Sequence, residues 1–169
     1  MEQMTLNIPV LALRGLTVFP DQTTGFDVER EISMLALNNA MEEGKDIFLV
    51  TQRELAVARP EESDLYAVGT VAHVLQIIKT SDSTVRVVVR GMSKGRIKRL
   101  WQTHPFLQAN VVLLEDDLPV RMTSRVEAVM RQTYLLFGEY RDMVPELSDE
   151  IVATVLDCDD PGKLADYIG

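Results

Sequence analysis

The run "VGTVAHVLQIIK" at residues 68–79, followed after "TSDS" by "TVRVVVRG" at 84–91, decides how this chain is read. β-Branched and other apolar residues dominate both runs, which suits a pleated, half-buried surface. Two such runs around a short polar turn make a β-hairpin. In the second strand Val85, Val87 and Val89 share one face, while Arg86 and Arg90 flank Val88 on the other. Outward from the hairpin the same pattern recurs. "IPVLAL" (8–13), "LTVF" (16–19), "DIFLVTQ" (46–52) and "FLQANVVLLE" (106–115) read as further strands, with a turn at Pro20 and Asp21. Several short strands at this spacing predict a small barrel or sandwich.

One helix interrupts the strands. "REISMLALNNAMEEG" places Ile32, Leu35, Ala36 and Ala40 at helical spacing and stops at Gly44, a residue suited to the position just past a helix end. Glu31, Asn38 and Glu42 form a narrow polar arc, so the apolar arc widens to take in Met34, Leu37 and Met41. A helix lying on a single core needs a stripe of only about 100°. The extra width therefore predicts a second partner: a C-terminal lobe, another subunit or a bound peptide.

From Pro119 onward the period becomes helical. Val126, Val129, Met130, Thr133, Phe137 and Tyr140 predict a long amphipathic helix to about Asp142, ended by Pro145. Ser148 is placed to cap a second helix, with Asp149 and Glu150 in its positive first turn. Asp160 and Pro161 read as cap and first position of a third, with Leu164 and Ile168 inward. That helix stops at Gly169 with its apolar face barely begun, the ending expected of a cut in a longer chain.

Composition bounds the function. The 169 residues are 46% hydrophobic and 25% charged, ordinary globular values that allow one domain, or one domain with an appendage. A single cysteine, Cys158, offers no intramolecular disulfide and predicts a reducing compartment. With no signal-peptide pattern in "MEQMTLNIPV" and no long apolar window, the expected location is the cytoplasm, away from membranes. The net charge of -9 is uneven: residues 1–114 carry -1 and residues 115–169 carry -8. The shift falls at "EDDLPV" (115–120), which reads as a boundary between lobes and a short hinge open to exchange of elements between chains.

Against that acidity, residues 85–100 hold Arg86, Arg90, Lys94, Arg96, Lys98 and Arg99 and no acidic side chain. A nucleic-acid surface wants such charges interleaved with aromatics, and only Trp101 is near. A wet strand face followed by a turn at Gly91 and Gly95 accounts for the same residues, with an acidic partner surface as second choice. Nucleic-acid binding through Arg86, Arg90 and Arg96 is the weaker alternative. No P-loop is present, and "GMSKGRIK" has the wrong spacing for one. His73 and His104 lack metal-ligand neighbours at helical spacing, so no metal site is expected. His73 reads as a partly buried core histidine, and Cys158 in "LDCDDPG" as a small helix-end residue. No catalytic constellation emerges, and the chain reads as non-enzymatic.

The segments "IPVLALRGLTVFP", "REISMLAL", "DIFLVTQRE", "DLYAVGTVAHVLQIIKTSDSTVRVVVRGMSKGRIKRL" and "DDPGKLADYI" closely resemble, in order, the N-terminal region of the Lon ATP-dependent proteases. "LYAVGTVA", with Val68, Gly69 and Thr70, is the most specific element. Asp82-Ser83 in the hairpin turn and Gly15 depart from the family's habits, which touches loop detail only. The resemblance implies an α+β chain: a PUA-like small β-barrel lobe with one packed helix over 6–115, then a helical lobe over 119–169, the truncated start of a bundle. It also implies a substrate-recognition and oligomer-assembly module of an ATP-dependent serine protease for protein quality control. ATP and magnesium would act only in an ATPase module, and a Ser-Lys dyad only in a protease domain, neither being in this chain. Implied partners are unfolded or degron-bearing proteins and further copies of the chain, a hexamer in the full-length protein and a dimer for this piece. A PUA-like fold keeps RNA binding by the basic hairpin (86–99) as the alternative. For apolar substrates the expected surface is Met34, Leu37 and Met41, supplemented by Phe19 and Pro20. Flexible methionines adapt to many partners. The competing expectation packs that stripe against the helix beginning near Val126.

Overall fold

A computed structural model describes residues 4–114 and 121–169. The "EDDLPV" boundary and hinge, and the start of the helical region at Pro119, lie outside the described residues. The chain divides into two compact units, 1–115 and 116–169.

The first unit runs β1 (Thr5–Leu13), β2 (Thr23–Val28), α1 (Glu31–Glu42), β3 (Asp46–Thr51), a single 3-10 turn (Glu62–Asp64), β4 (Val68–Lys79), β5 (Val85–Gln102) and β6 (Leu107–Leu113). The strand order is β2-β5-β4-β3-β1-β6, and β6 also pairs back with β5, so five strands close on one another and β2 lies outside as an edge. β1 and β3 run parallel, with α1 in the connection between them, and the other pairings are antiparallel.

The anticipated hairpin is β4–β5, with Val87 and Val89 fully buried and Arg86 and Arg90 exposed. The turn expected at Gly91 and Gly95 does not exist. β5 runs unbroken for 18 residues, serving β2 and β4 with its first part and β6 with its last. Both glycines are there for space. A Cβ at Gly95 would stand 2.5 Å from the Val111 Cγ1, and one at Gly91 would overlap the Phe19 carbonyl oxygen.

β1 and β3 are buried on both faces, which explains their unbroken apolar runs. Leu11, Leu13, Ile47 and Leu49 enter one core cluster; Val10, Ala12, Phe48 and Val50 enter the other. α1 touches both, since Ile32 packs on the second cluster while Leu37 and Ala40 belong to the first, with Met34 against it. Leu37 and Met34 of its wide apolar arc are thus matched within its own unit, so the expectation that they needed a second partner is corrected, while Met41 stays exposed.

"LTVF" is not a strand. Gly15, at φ 64°, breaks the chain direction after β1, and residues 16–19 follow as irregular backbone held by threonine hydroxyls. β2, unread in the sequence, is an edge strand whose inward side chains are only Thr24, Phe26 and Val28.

In the second unit, α2 (Ser124–Met143), α3 (Asp149–Leu156) and α4 (Pro161–Ile168) begin at Thr123, Ser148 and Asp160. Each cap side chain accepts a backbone N–H, from Val126, Ile151 and Lys163. Met130, Val155 and Leu164 form the centre. Ile168, expected inward, is 45% exposed, because Tyr167 takes the inward position at the end of this short helix. On α2, Val129 and Tyr140 are exposed as well. Two eight-residue helices, each about 12 Å long, cannot cover one of about 30 Å.

Candidate functional site

The anticipated substrate stripe is divided by the fold. Leu37 is 2% exposed, sealed in the core among Val28, Ile47 and Val87, and leaves the surface altogether. Met34 is half-buried against the same cluster, and only Met41, 37% exposed, faces outward. Phe19 and Pro20 are half-buried in a different place, on the loop that follows Gly15.

That loop borders a concavity of the first unit. A cavity of ≈ 650 Å³ lies between Gly15–Thr17 and the start of β4, lined also by Thr51, Arg53 and Tyr66. A narrower one of ≈ 130 Å³ shares Thr17, Thr51 and Val68 with it and continues to Phe19. Val68 is 40% and Tyr66 48% exposed. The Arg53 guanidinium stacks over the Tyr66 ring, 4.6 Å from its centroid, while its Nε donates to the Leu65 carbonyl at 3.1 Å.

The walls are fixed by hydroxyl contacts across the chain. Thr51 Oγ1 donates to the Leu16 carbonyl at 2.8 Å and lies 3.0 Å from Thr17 Oγ1. Thr70 Oγ1 donates to the Val18 carbonyl at 2.6 Å. Gly69 lets β4 press onto β3, since a Cβ there would meet the Leu49 carbonyl oxygen and the Phe48 ring. The motif "Val68-Gly69-Thr70" is therefore a unit: one side chain lines the groove, one absent side chain permits close approach, and one hydroxyl ties down the loop. Tyr66, Arg53 and Thr17 were missed as site residues. The available signal was Tyr66 and Val68, two large apolar side chains just before Gly69 in "LYAVGTVA".

The three arginines do not form one patch. Arg86 is engaged by Asp27 of β2, with Nε to Oδ1 at 2.9 Å and Nη2 to Oδ2 at 3.2 Å. Arg90 stands opposite Thr23 on the same half of β5. Arg96 lies ten residues farther along the chain than Arg86, on the order of 30 Å of strand, beside Lys98 and Val112 at a separate cavity of ≈ 420 Å³. His73, read as a core residue, sits half-exposed with its Nδ1 2.7 Å from Asp46 Oδ1. Alternation places it on the outer face, and Val74 takes the core position. Cys158 packs at the edge of the helical cluster, its Sγ 3.4 Å from the Asp160 carbonyl oxygen. Among the described residues, no group of three or more His, Cys, Asp or Glu is placed to hold a metal ion, and no helix is long and apolar enough to cross a membrane.

The family profile described as the ATP-dependent protease La (LON) substrate-binding domain matches residues 7–169. A Lon protease of Clostridioides difficile is 38% identical over 164 residues, covering 95% of this chain and 21% of that protein. One from Brevibacillus choshinensis is 35% identical over 161 residues, covering 95% and 20%. The chain thus spans about a fifth of the length of these curated relatives. Among solved structures, the N-terminal domain of a Mycobacterium avium complex Lon protease superposes with a TM-score of 0.73 at 19% identity, covering 95% of this chain and 80% of that one. A Lon N-terminal domain protein from Xanthomonas campestris gives 0.55 at 17%, covering 96% of both. These two speak for the fold. With the profile spanning nearly its whole length and relatives above 30% identity, the chain belongs to the Lon protease family, as its N-terminal substrate-binding domain.

Proposed function

We propose that this domain captures exposed apolar segments of unfolded or degron-bearing proteins in the groove beside the 14–20 loop, and delivers them to the ATPase and protease parts of a longer, cytoplasmic Lon-type serine protease. The observation that carries this reading is the pair Val68 and Tyr66, exposed and apolar, lining a groove that continues to Phe19. Pro20 stiffens the loop bearing Phe19, and Met41 remains an auxiliary contact on α1. The closed sheet is read as a PUA-like lobe over 6–115, the helical lobe over 119–169 as a second part, and self-association as the means by which weak single contacts gain avidity. The test is the affinity of an alkylated, permanently unfolded polypeptide for the wild-type chain and for Val68→Asp and Tyr66→Asp. Both are surface changes, so folding is expected to survive. Binding should fall about tenfold or more in each, and unchanged affinity would remove the groove from the reading.

A further inference from the structure

Another concavity of the first unit, ≈ 180 Å³, lies where the end of β1, β2 and the start of α1 meet. Arg14 and Arg30 both line it. Arg30 Nη1 donates to Gln52 Oε1 at 2.6 Å and its Nη2 to the Ala12 carbonyl; Arg14 Nη2 donates to the Val57 carbonyl at 2.9 Å. All three acceptors are neutral, and neither guanidinium has a carboxylate within ion-pair distance among the described residues. Burial first, and then the charge of Arg14, hold the Arg30 guanidinium below its ordinary pKa. Two like charges therefore share one cleft, and neither is in a direct ion pair among the described residues. Ser33, in the first turn of α1, also lines the cleft and is 5% exposed. No side chain caps the N-terminus of this 12-residue helix. The Ser33 hydroxyl adds a hydrogen-bond donor to the lining beside the two guanidinium groups.

The rest of the lining narrows the ligand. Asp27 and Glu29 stand at the cleft, Asp27 already neutralised by Arg86, so a multiply charged anion such as phosphate is disfavoured and a monoanion tolerated. Leu13, Leu16, Phe26 and Val28 supply apolar wall, which suits a ligand with a greasy part beside its charge. The planar fork of arginine matches a carboxylate. We propose that this cleft binds the C-terminal carboxylate of a polypeptide ending in an apolar residue. That the carboxylate belongs to a polypeptide rests on the substrate-capture reading; the carboxylate preference rests on the cleft.

The experiment measures, by fluorescence anisotropy on the 169-residue chain, a labelled hexapeptide ending in leucine with a free carboxylate and the same peptide amidated. The acid should bind about tenfold or more tightly, as expected for hydrogen bonds to a charged group. Ser33→Ala and Arg14→Gln, chosen because Arg30 also braces Gln52 and the end of β1, should each narrow that gap with the circular dichroism spectrum unchanged. Acetate should displace the acid peptide better than inorganic phosphate does. Equal affinity for acid and amide, no binding of either at millimolar concentration, or stronger displacement by phosphate would each overturn the assignment. A chain that still holds unfolded protein through Val68 and Tyr66 while ignoring the carboxylate loses this assignment alone. A chain that prefers the acid but binds no unfolded protein loses the groove instead.

Discussion

At Gly91 and Gly69 a methyl group has nowhere to go, because the atoms it would strike are backbone carbonyls: Phe19 in the first case and Leu49 in the second. Backbone cannot rotate aside as a side chain can, so Gly91→Ala and Gly69→Ala should each cost about 1–3 kcal/mol or more. Gly138, in α2 with open space around it, predicts the opposite sign. Gly138→Ala should stabilise its helix by about 1 kcal/mol, and urea denaturation of the three variants measures the contrast. The divided α1 stripe makes a second comparison. Leu37→Ala removes a core side chain and should cost about 2–5 kcal/mol, whereas Met41→Ala, at the surface, should stay within about 0.5 kcal/mol. Similar values for the two would mean that Leu37 is not sealed as described.

At the scale of elements, β5 organises the first unit. It pairs with three other strands, and Gly91 lets the 14–22 loop lie close against it, clamped through Asp21 N–H to the Gly91 carbonyl at 3.0 Å and Gly91 N–H to the Gln22 carbonyl at 2.9 Å. The Arg86–Asp27 pair across β5 and β2 is bidentate but half-exposed, so a double-mutant cycle should return a coupling of no more than about 1 kcal/mol, shrinking with added salt. The helices of the second unit depend instead on local caps. Ser148→Ala and Asp160→Ala should each lower helix stability by about 0.5–2 kcal/mol, read as an earlier loss of helical circular dichroism on heating.

For the whole molecule, the charge distribution separates the two kinds of partner. Capture of an apolar segment in the groove should change little with salt, about twofold or less between 50 and 200 mM. Binding to phosphates through a basic strand would instead weaken by about 10³ or more over the same range if six or more phosphates were contacted. The net charge of -9 and the engagement of Arg86 by Asp27 favour the first outcome, and the salt series with an unfolded polypeptide as ligand measures it. The amino-acid sequence by itself determined the β4–β5 hairpin, the runs of β1, β3 and β6, the helix after Arg30, and the caps at Ser148 and Asp160. Each of these rests on an unbroken apolar run, a period of two or 3.6 residues, or a hydrogen bond reaching three residues along the chain. Likeness to the Lon family was also legible, in "LYAVGTVA" and the ordered segments around it. Only the tertiary structure decided which apolar residues face outward. α1 lies across two core clusters, so Leu37 goes in, while β4 begins beside a loop held by Thr70 and Val18, so Val68 and Tyr66 stay out. The return of β6 to β5, the close approach of Phe19 to Gly91 and the meeting of Arg14, Arg30 and Ser33 belong to the same class. They depend on residues far apart along the chain, whose proximity no local pattern encodes.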